Sequence, residues 1–513
     1  MSVRLLLCRE LLDQIFKYFG VRTDYDAKDP ARSEWHKDLL NSALAGRALY
    51  EPALDVLWGH LDNIDKLLLL LGDWKHRNTR PKQKKAVLER SPVMFLRRGL
   101  CSKQFVRFQH HARRVVWVAA INHSPVHPPL WRILSQANGG RPLLPRLRFA
   151  GWYPGVAFDA DLLLLIPLTL LSLNVRHWDN FYDSRHELSA NSKYRLKCIM
   201  AARHTMSDCM VAQISNAAPN LTTLRIHMPR FGCLVMLSRF RKLSRLTLDI
   251  QREFDIPKGV AKIKFPALQS LEVVACVKSL NALVESIDCP QLSHVDVRTR
   301  APCTIDQFKE CLDGIACKFG STLRTMAIRG WQQSLKELRE GRQDDIFPAA
   351  ILPVLGYLPT LQSLELSGCT AFWTSGFALD TLLATLPALR SLKLILFAEL
   401  PVEFPEHYCT SPPTVDIIDL LTIPAPTLQT LLDIPELCPT LETLELPIID
   451  MLQPPNVLSF DSALAPLTLD IKLTTVRKRK SLDYDEAYDL LDRVCPGCTP
   501  VRWLNVADEH LIG

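Results

Sequence analysis

Nowhere in its 513 residues does the chain reach the eighteen or so uninterrupted apolar residues of a membrane-spanning helix. Its longest apolar stretches, Asp161 to Val175 and Ile64 to Leu71, are too short, and Pro167 breaks the first. No phosphate loop, Gly-x-Ser-x-Gly elbow or His-Glu-x-x-His pair occurs. No catalytic residue, metal ligand or cofactor is therefore expected, and the chain is not expected to be an enzyme. The N-terminus lacks the charged, apolar and small-residue order of a secretory signal, and the fifteen cysteines have no framework spacing. Together these absences predict a soluble chain of a reducing compartment, cytoplasmic or nuclear, whose cysteines stay thiols and which has no membrane partner.

What is present is an ordinary globular balance. Hydrophobic residues make up 48% and charged residues 22%, enough for a sizeable core. The length suits two to four domains or one long repeat array. The formal charge of +7 is unevenly placed. From Lys75 to Arg114 thirteen Lys and Arg face one acid, Glu89, which leaves the rest of the chain about −5. Such a run suits an acidic partner, a nucleic acid, or a solvated linker and helix face. Without a nucleic-acid-binding motif or interleaved aromatics, a nucleic-acid partner is not expected.

Smaller motifs read blandly. Cys495 and Cys498 form a single Cys-x-x-Cys without the second pair of a structural zinc site. His123 and His127 are separated by Pro125, and the adjacent His110 and His111 point different ways on any regular element. Arg477 to Lys480 reads as a solvated loop before a helix or as a nuclear-import signal.

The strongest signal is internal repetition: a leucine, two residues, an aliphatic, one residue, another aliphatic. It appears as NLTTLRI, KLSRLTL, ALQSLEV and QLSHVDV, with first leucines at Leu221, Leu243, Leu268 and Leu292. Those steps fall within the 20 to 29 residues of a leucine-rich repeat. TLRTMAI, TLQSLEL, ALRSLKL and TLETLEL follow from Leu323, Leu361, Leu389 and Leu441, with longer steps that imply insertions. A degenerate copy is expected near Leu428, weaker ones near Leu147 and Leu170, and a closing one near Val501. The alternating aliphatics predict short strands with one inward face. Apolar spacing between them predicts helices at Ser279 to Ile287, Ile305 to Phe319, Leu379 to Leu386 and Tyr484 to Val494. A single unit cannot bury its own face, so the array is stable only when stacked.

Ahead of the repeats, Glu10 to Phe19 places Leu11, Leu12, Ile15, Phe16 and Phe19 on one helical stripe, and Gly20 stops it. Val21 to Lys37 reads as a loop. A second helix from Asp38 to Ala48 carries Leu39, Leu40, Ala43 and Leu44, and Pro52 suits the first turn of a third. Leu61 to Phe105 reads as helical packing. The strings LCRELLDQIF and DLLNSALAGRALYEPALDVLW resemble the F-box of mushroom-type fungal proteins over roughly residues 4 to 61. Ala112 to Val115 is similar to the entry into the first strand in those relatives. The resemblance implies docking onto the Skp-type adaptor of a cullin-type (SCF) ubiquitin ligase through Leu7, Cys8, Leu11, Leu12, Ile15 and Leu40. Cys8 stands where the family has proline.

The expected fold class is thus α/β. A three-helix F-box at residues 1–61 and a basic helical linker at 62–114 precede an irregular leucine-rich-repeat solenoid at 115–513. Its parallel strands would line the concave face and its helices the convex face. The expected function is that of a substrate receptor, adaptor at one end and an unidentified target protein on the repeats. A ligase-independent protein-interaction scaffold is the alternative.

Overall fold

A computed structural model describes residues 11–12, 14–16, 30–72, 74–77, 93–96, 100–121, 129–152, 164–175, 211–227, 231–250, 253, 262–299, 305–329, 346–367, 376–395, 426–451, 470–479, 483–494 and 502–506. The expectations placed on Leu7, Cys8, His123, His127, Cys495 and Cys498 lie outside them. Two compact units, residues 1–244 and 245–513, divide the chain.

In the first unit, helical residues at 11–12 and 14–16 pack with α1 (Pro30–Ala45) and α2 (Arg47–Gly59). Residues 30–37 are helix, not loop, because proline at the first helical position gives up only an amide that has no partner there. Pro52 lies inside α2 and not in its first turn. The helix starts earlier, behind an extended Gly46 whose carbonyl accepts from the amides of Leu49 and Tyr50 at 3.0 and 3.1 Å.

Directly after α2 comes β1 (His60–Asn63), so the sheet begins across the boundary between the expected F-box and the expected linker. α3 (Asp65–Leu68) and a 3-10 turn at Leu69–Leu71 bury Leu67, Leu68 and Leu71, as their apolar run suggested. Beyond them β2 (Trp74–Arg77) and β3 (Val93–Leu96) form an antiparallel hairpin where helix was expected. The unit continues through α4 (Ser102–Ala112), β4 (Trp117–Ile121), α5 (Pro129–Ala137), β5 (Phe149–Trp152), β6 (Ser172–Val175), β7 (Thr223–His227) and α6 (Phe231–Leu237). Strands β1-β4-β5-β6-β7 pair in that order, all parallel. The weak repeat copies near Leu147 and Leu170 supply β5 and β6.

The second unit repeats strand and helix. Its strands are β8 (Arg245–Asp249), β9 (Ile263–Lys264), β10 (Ser270–Ala275), β11 (Ile287–Asp288), β12 (His294–Thr299), β13 (Thr325–Arg329), β14 (Ser363–Ser367), β15 (Ser391–Ile395), β16 (Thr443–Met451), β17 (Asp470–Arg479) and β18 (Arg502–Val506). Its helices are α7 (Val277–Ser286), α8 (Ile305–Phe319), α9 (Ile346–Leu355), α10 (Gly376–Thr385), α11 (Leu428–Leu437) and α12 (Tyr484–Val494). All but β9 and β11, which pair with each other, stack in parallel in chain order. The register puts Leu246, Leu271, Val295, Met326, Leu364, Leu392, Leu444 and Ile471 side by side on the inner face. The first leucines of seven units, Leu221 to Leu389, are fully buried.

Two expectations are corrected here. The segment near Leu428 is a helix, not a repeat strand, because the Thr427 hydroxyl caps it by accepting from the Thr430 amide at 3.4 Å. β15 then pairs directly with β16, so one unit, not two, spans Leu389 to Leu441. Arg477 to Arg479 belong to β17, not to a solvated loop; Lys478 is buried with its Nζ 3.9 Å from the centre of the Tyr484 ring.

A hydroxyl interlock joins successive units at the residue before the first leucine. Thr169 donates to Leu147 O at 3.2 Å, Thr322 to Leu292 O at 2.7 Å, Thr360 to Leu323 O at 2.9 Å and Thr440 to Leu389 O at 2.8 Å. Each bond satisfies the carbonyl of the preceding unit's first leucine, which the turn there leaves without a strand partner.

Candidate functional site

The N-terminal helices split their apolar residues between two faces. Leu12, Phe16, Leu39, Ala43 and Ala53 form one core with Leu49, Val56 and Leu57 against it. Other apolar residues of these helices stay in solvent: Ile15 is 43% exposed, Leu40 48% and Leu44 75%, the last two one turn apart on α1, and Tyr50 on α2 is exposed as well. Of the adaptor-docking residues drawn from the resemblance, Ile15 and Leu40 are exposed and Leu11 is half-buried. Leu12, at 4% exposure, packs in the core on one stripe with Phe16. Leu44, which the resemblance did not single out, is the most exposed large apolar residue of the group.

Behind that module lies a charged joint. Arg114, just past the end of α4, is 3% exposed and reaches between two acids one turn apart on α2. Its Nη2 donates to Glu51 Oε2 at 2.5 Å and its Nη1 to Asp55 Oδ1. His110 Nε2 sits 3.1 Å from Arg114 Nη2, and the buried His111 ring lies tilted against Trp58 at 4.3 Å between centroids. The hydrogen bond from Arg114 holds the Glu51 carboxyl below its usual range. Burial, then the nearby His110 and Arg114 charges, pushes His111 down to about 4.

This sets a pH response. His111 is neutral in the folded protein, and its contribution is complete above its ordinary value of 6.5 and lost as pH falls toward about 4. Glu51 acts in the same direction, since its contribution fades as pH falls through its lowered folded value. The His111 effect amounts to at most roughly 3 kcal/mol across that window. Thermal melts at pH 7.5 and pH 4.5, followed by hydrogen exchange in α2 and α4, are expected to show that loss in the first unit. His111→Phe should flatten the dependence between pH 6.5 and 4.5; an unchanged slope would show that His111 does not set it.

In the second unit the solvent side of the strands carries a ladder of charge. Thr247 donates to Glu272 at 2.9 Å, and Glu272 meets Arg298 at 3.1 Å. Arg298 also meets Asp296 at 3.3 Å, Asp296 meets Arg329 at 3.6 Å, and Arg329 meets Glu365 at 2.8 Å. Farther along, Lys393 faces Glu445 at 3.8 Å. Side chains on alternate strand positions point the same way, so a period of two gathers these groups from strands far apart in sequence. Asp296 is buried, and its Oδ1 accepts no hydrogen bond from the described residues. In the register the acids Glu272 and Asp296 lie side by side, and so do the bases Arg298 and Arg329 two positions on, so an acidic row runs beside a basic one and the ion pairs cross between them.

No protein-family model matches the sequence, and no curated protein does. Solved structures do. The leucine-rich repeat-containing protein LegL7 from Legionella pneumophila is similar at 12% identity and TM-score 0.29, over 70% of this chain and 91% of that one. An internalin, inlF, from Listeria monocytogenes is similar at 12% identity and TM-score 0.30, over 78% and 82%.

Among the described residues no group of three or more His, Cys, Asp or Glu is placed to hold a metal ion. No described helix is long and apolar enough to cross a membrane. Burial raises the Cys289 thiol to about 12, which keeps it protonated and unreactive at neutral pH. Arg114, counted in sequence among the charges of the basic run, is spent on Glu51 and Asp55. Sequence reasoning missed that joint; its only local signals were two acids four apart on α2 and an arginine closing α4.

Proposed function

We propose that the chain is the substrate receptor of a cullin-type ubiquitin ligase, docking a Skp-type adaptor through its N-terminal helices and a target protein through its repeats. The observation that carries this reading is the exposure of the apolar residues Ile15, Leu40, Leu44 and Tyr50 on helices whose other apolar residues form a core, in the stretch that resembles an F-box. A thin helical module that leaves such residues in water gains by covering them with a partner. The repeats supply the second half: an acidic row at Glu272 and Asp296 beside a basic row at Arg298 and Arg329 gives the paired strands a polar surface on which a target protein could rest. The mechanism is positioning: the receptor raises the local concentration of its target near an enzyme held elsewhere in the complex.

Co-purification with a Skp-type adaptor tests it. The wild-type chain is expected to retain the adaptor, and Leu40→Asp with Leu44→Asp to lose it by more than about tenfold, since two apolar anchors are replaced by charge. Both positions are exposed, so melting should shift by only about 0.5 kcal/mol. A wild-type chain that never holds the adaptor, even in excess, removes the proposal. The alternative, a scaffold in which the helices only cap the repeats, draws on the direct run of α2 into β1 and predicts that negative result.

A further inference from the structure

Glu51 and Asp55 lie about sixty residues before Arg114, yet one guanidinium bonds both, and the two segments are bound again where the Val116 amide donates to Gly59 O at 2.9 Å. Gly59 ends α2 and Val116 precedes β4, so side-chain and backbone contacts clamp one helix against the start of the sheet. A fork of two bonds fixes orientation as well as distance, which a lone ammonium does not. Stability alone gives little reason for it. Charges at this depth lose hydration, and an apolar residue of the same volume often serves folding as well. The acids differ from the arginine: Glu51 is partly open to water, so it rehydrates when Arg114 is removed.

We infer that Arg114 is a positioning residue that holds α1 and α2 at a fixed angle on the first strands, so that the exposed apolar residues of those helices and the first repeats turn as one body. Its consequence for ubiquitin transfer rests on the receptor reading above: a target held by the repeats would keep a constant reach from the adaptor. The joint itself does not depend on that reading.

Nitroxide labels on non-natural residues at Lys37 in α1 and Arg146 ahead of β5, both exposed, leave the native cysteines untouched. Pulsed dipolar spectroscopy on the full-length chain is expected to give one narrow distance distribution. Arg114→Met should broaden or split it while hydrogen-exchange protection in α1 and β5 persists. Arg114→Lys should fall between the two, and Glu51→Gln added to Arg114→Met should change nothing more, because both act on the same bonds. If Arg114→Met does not fold, Glu51→Gln alone is measured the same way and should broaden the distribution. A wild-type distribution in these variants overturns the assignment. So does broadening that comes with lost protection in α1 and β5, which marks collapse of the unit. Adaptor retention is measured separately, so a failed joint and a failed docking face are told apart.

Discussion

Gly151→Val is expected to destabilise the first unit by about 3 kcal/mol or more, the range of severe overpacking. A Cβ at residue 151 would stand 2.9 Å from the carbonyl carbon of Ala119, and closer still to its oxygen, on the neighbouring strand β4. Both groups are backbone, so no rotamer change relieves the clash. The pairing of β4 with β5 already shifts register between Val118 and Ile121, and this irregularity brings the Ala119 carbonyl over Gly151. A side chain there forces the two strands apart. Hydrogen exchange should show β4 and β5 losing protection together, with a lowered melting transition for the unit. Gly46→Ala is the control, because nothing lies within 4 Å of its added Cβ. Equal melting of Gly151→Val and wild type would show that the strands separate without cost.

Leu361→Ala should cost 2–5 kcal/mol in the second unit, as large-to-small changes do when the cavity stays open. Leu361 is fully buried, as are Leu358 and Leu364 on either side of it. Its site resists collapse: the Thr360 hydroxyl is tied to Gly320 O and Leu323 O at 3.2 and 2.9 Å, and the Leu361 amide to Leu358 O at 3.1 Å. Stacked repeats draw stability from neighbouring interfaces, so the loss should spread to β13 and β15 before it reaches β18. Urea unfolding followed by residue-resolved hydrogen exchange checks this. A uniform loss across all strands would mean that the unit unfolds as one block.

The repeats were legible because their signal is local. Leu221, Leu243, Leu268, Leu292, Leu323, Leu361 and Leu389 follow from spacing alone, and each is buried where the pattern put it. Helices α7, α8, α10 and α12 were likewise written in apolar periodicity, within a few residues at their ends. The errors fell where local pattern is ambiguous. TLQTLLD carries leucines that suit either a strand or a helix, and a single threonine cap decided for helix. The stretch between α2 and α4 is rich in both leucine and charge, and it holds a strand and a hairpin that no periodicity announced.

The candidate surfaces show the same division more sharply. Sequence marked residues 39, 40, 43 and 44 as apolar, but adjacent stripes of one helix are equivalent until a neighbour covers one of them. Packing buried Leu39 and Ala43 and left Leu40 and Leu44 open, which decides which residues are available to a partner. In sequence Arg114 was one more charge in a basic run; in the fold it is a buried clamp. By itself the sequence determined the repeat, its strand-and-helix grammar and its inward leucines, because these depend on neighbours a few residues apart. Tertiary structure alone decided the joint, the open face and the charged ladder. Each of them brings together groups tens of residues apart, and neither spacing nor composition encodes that proximity.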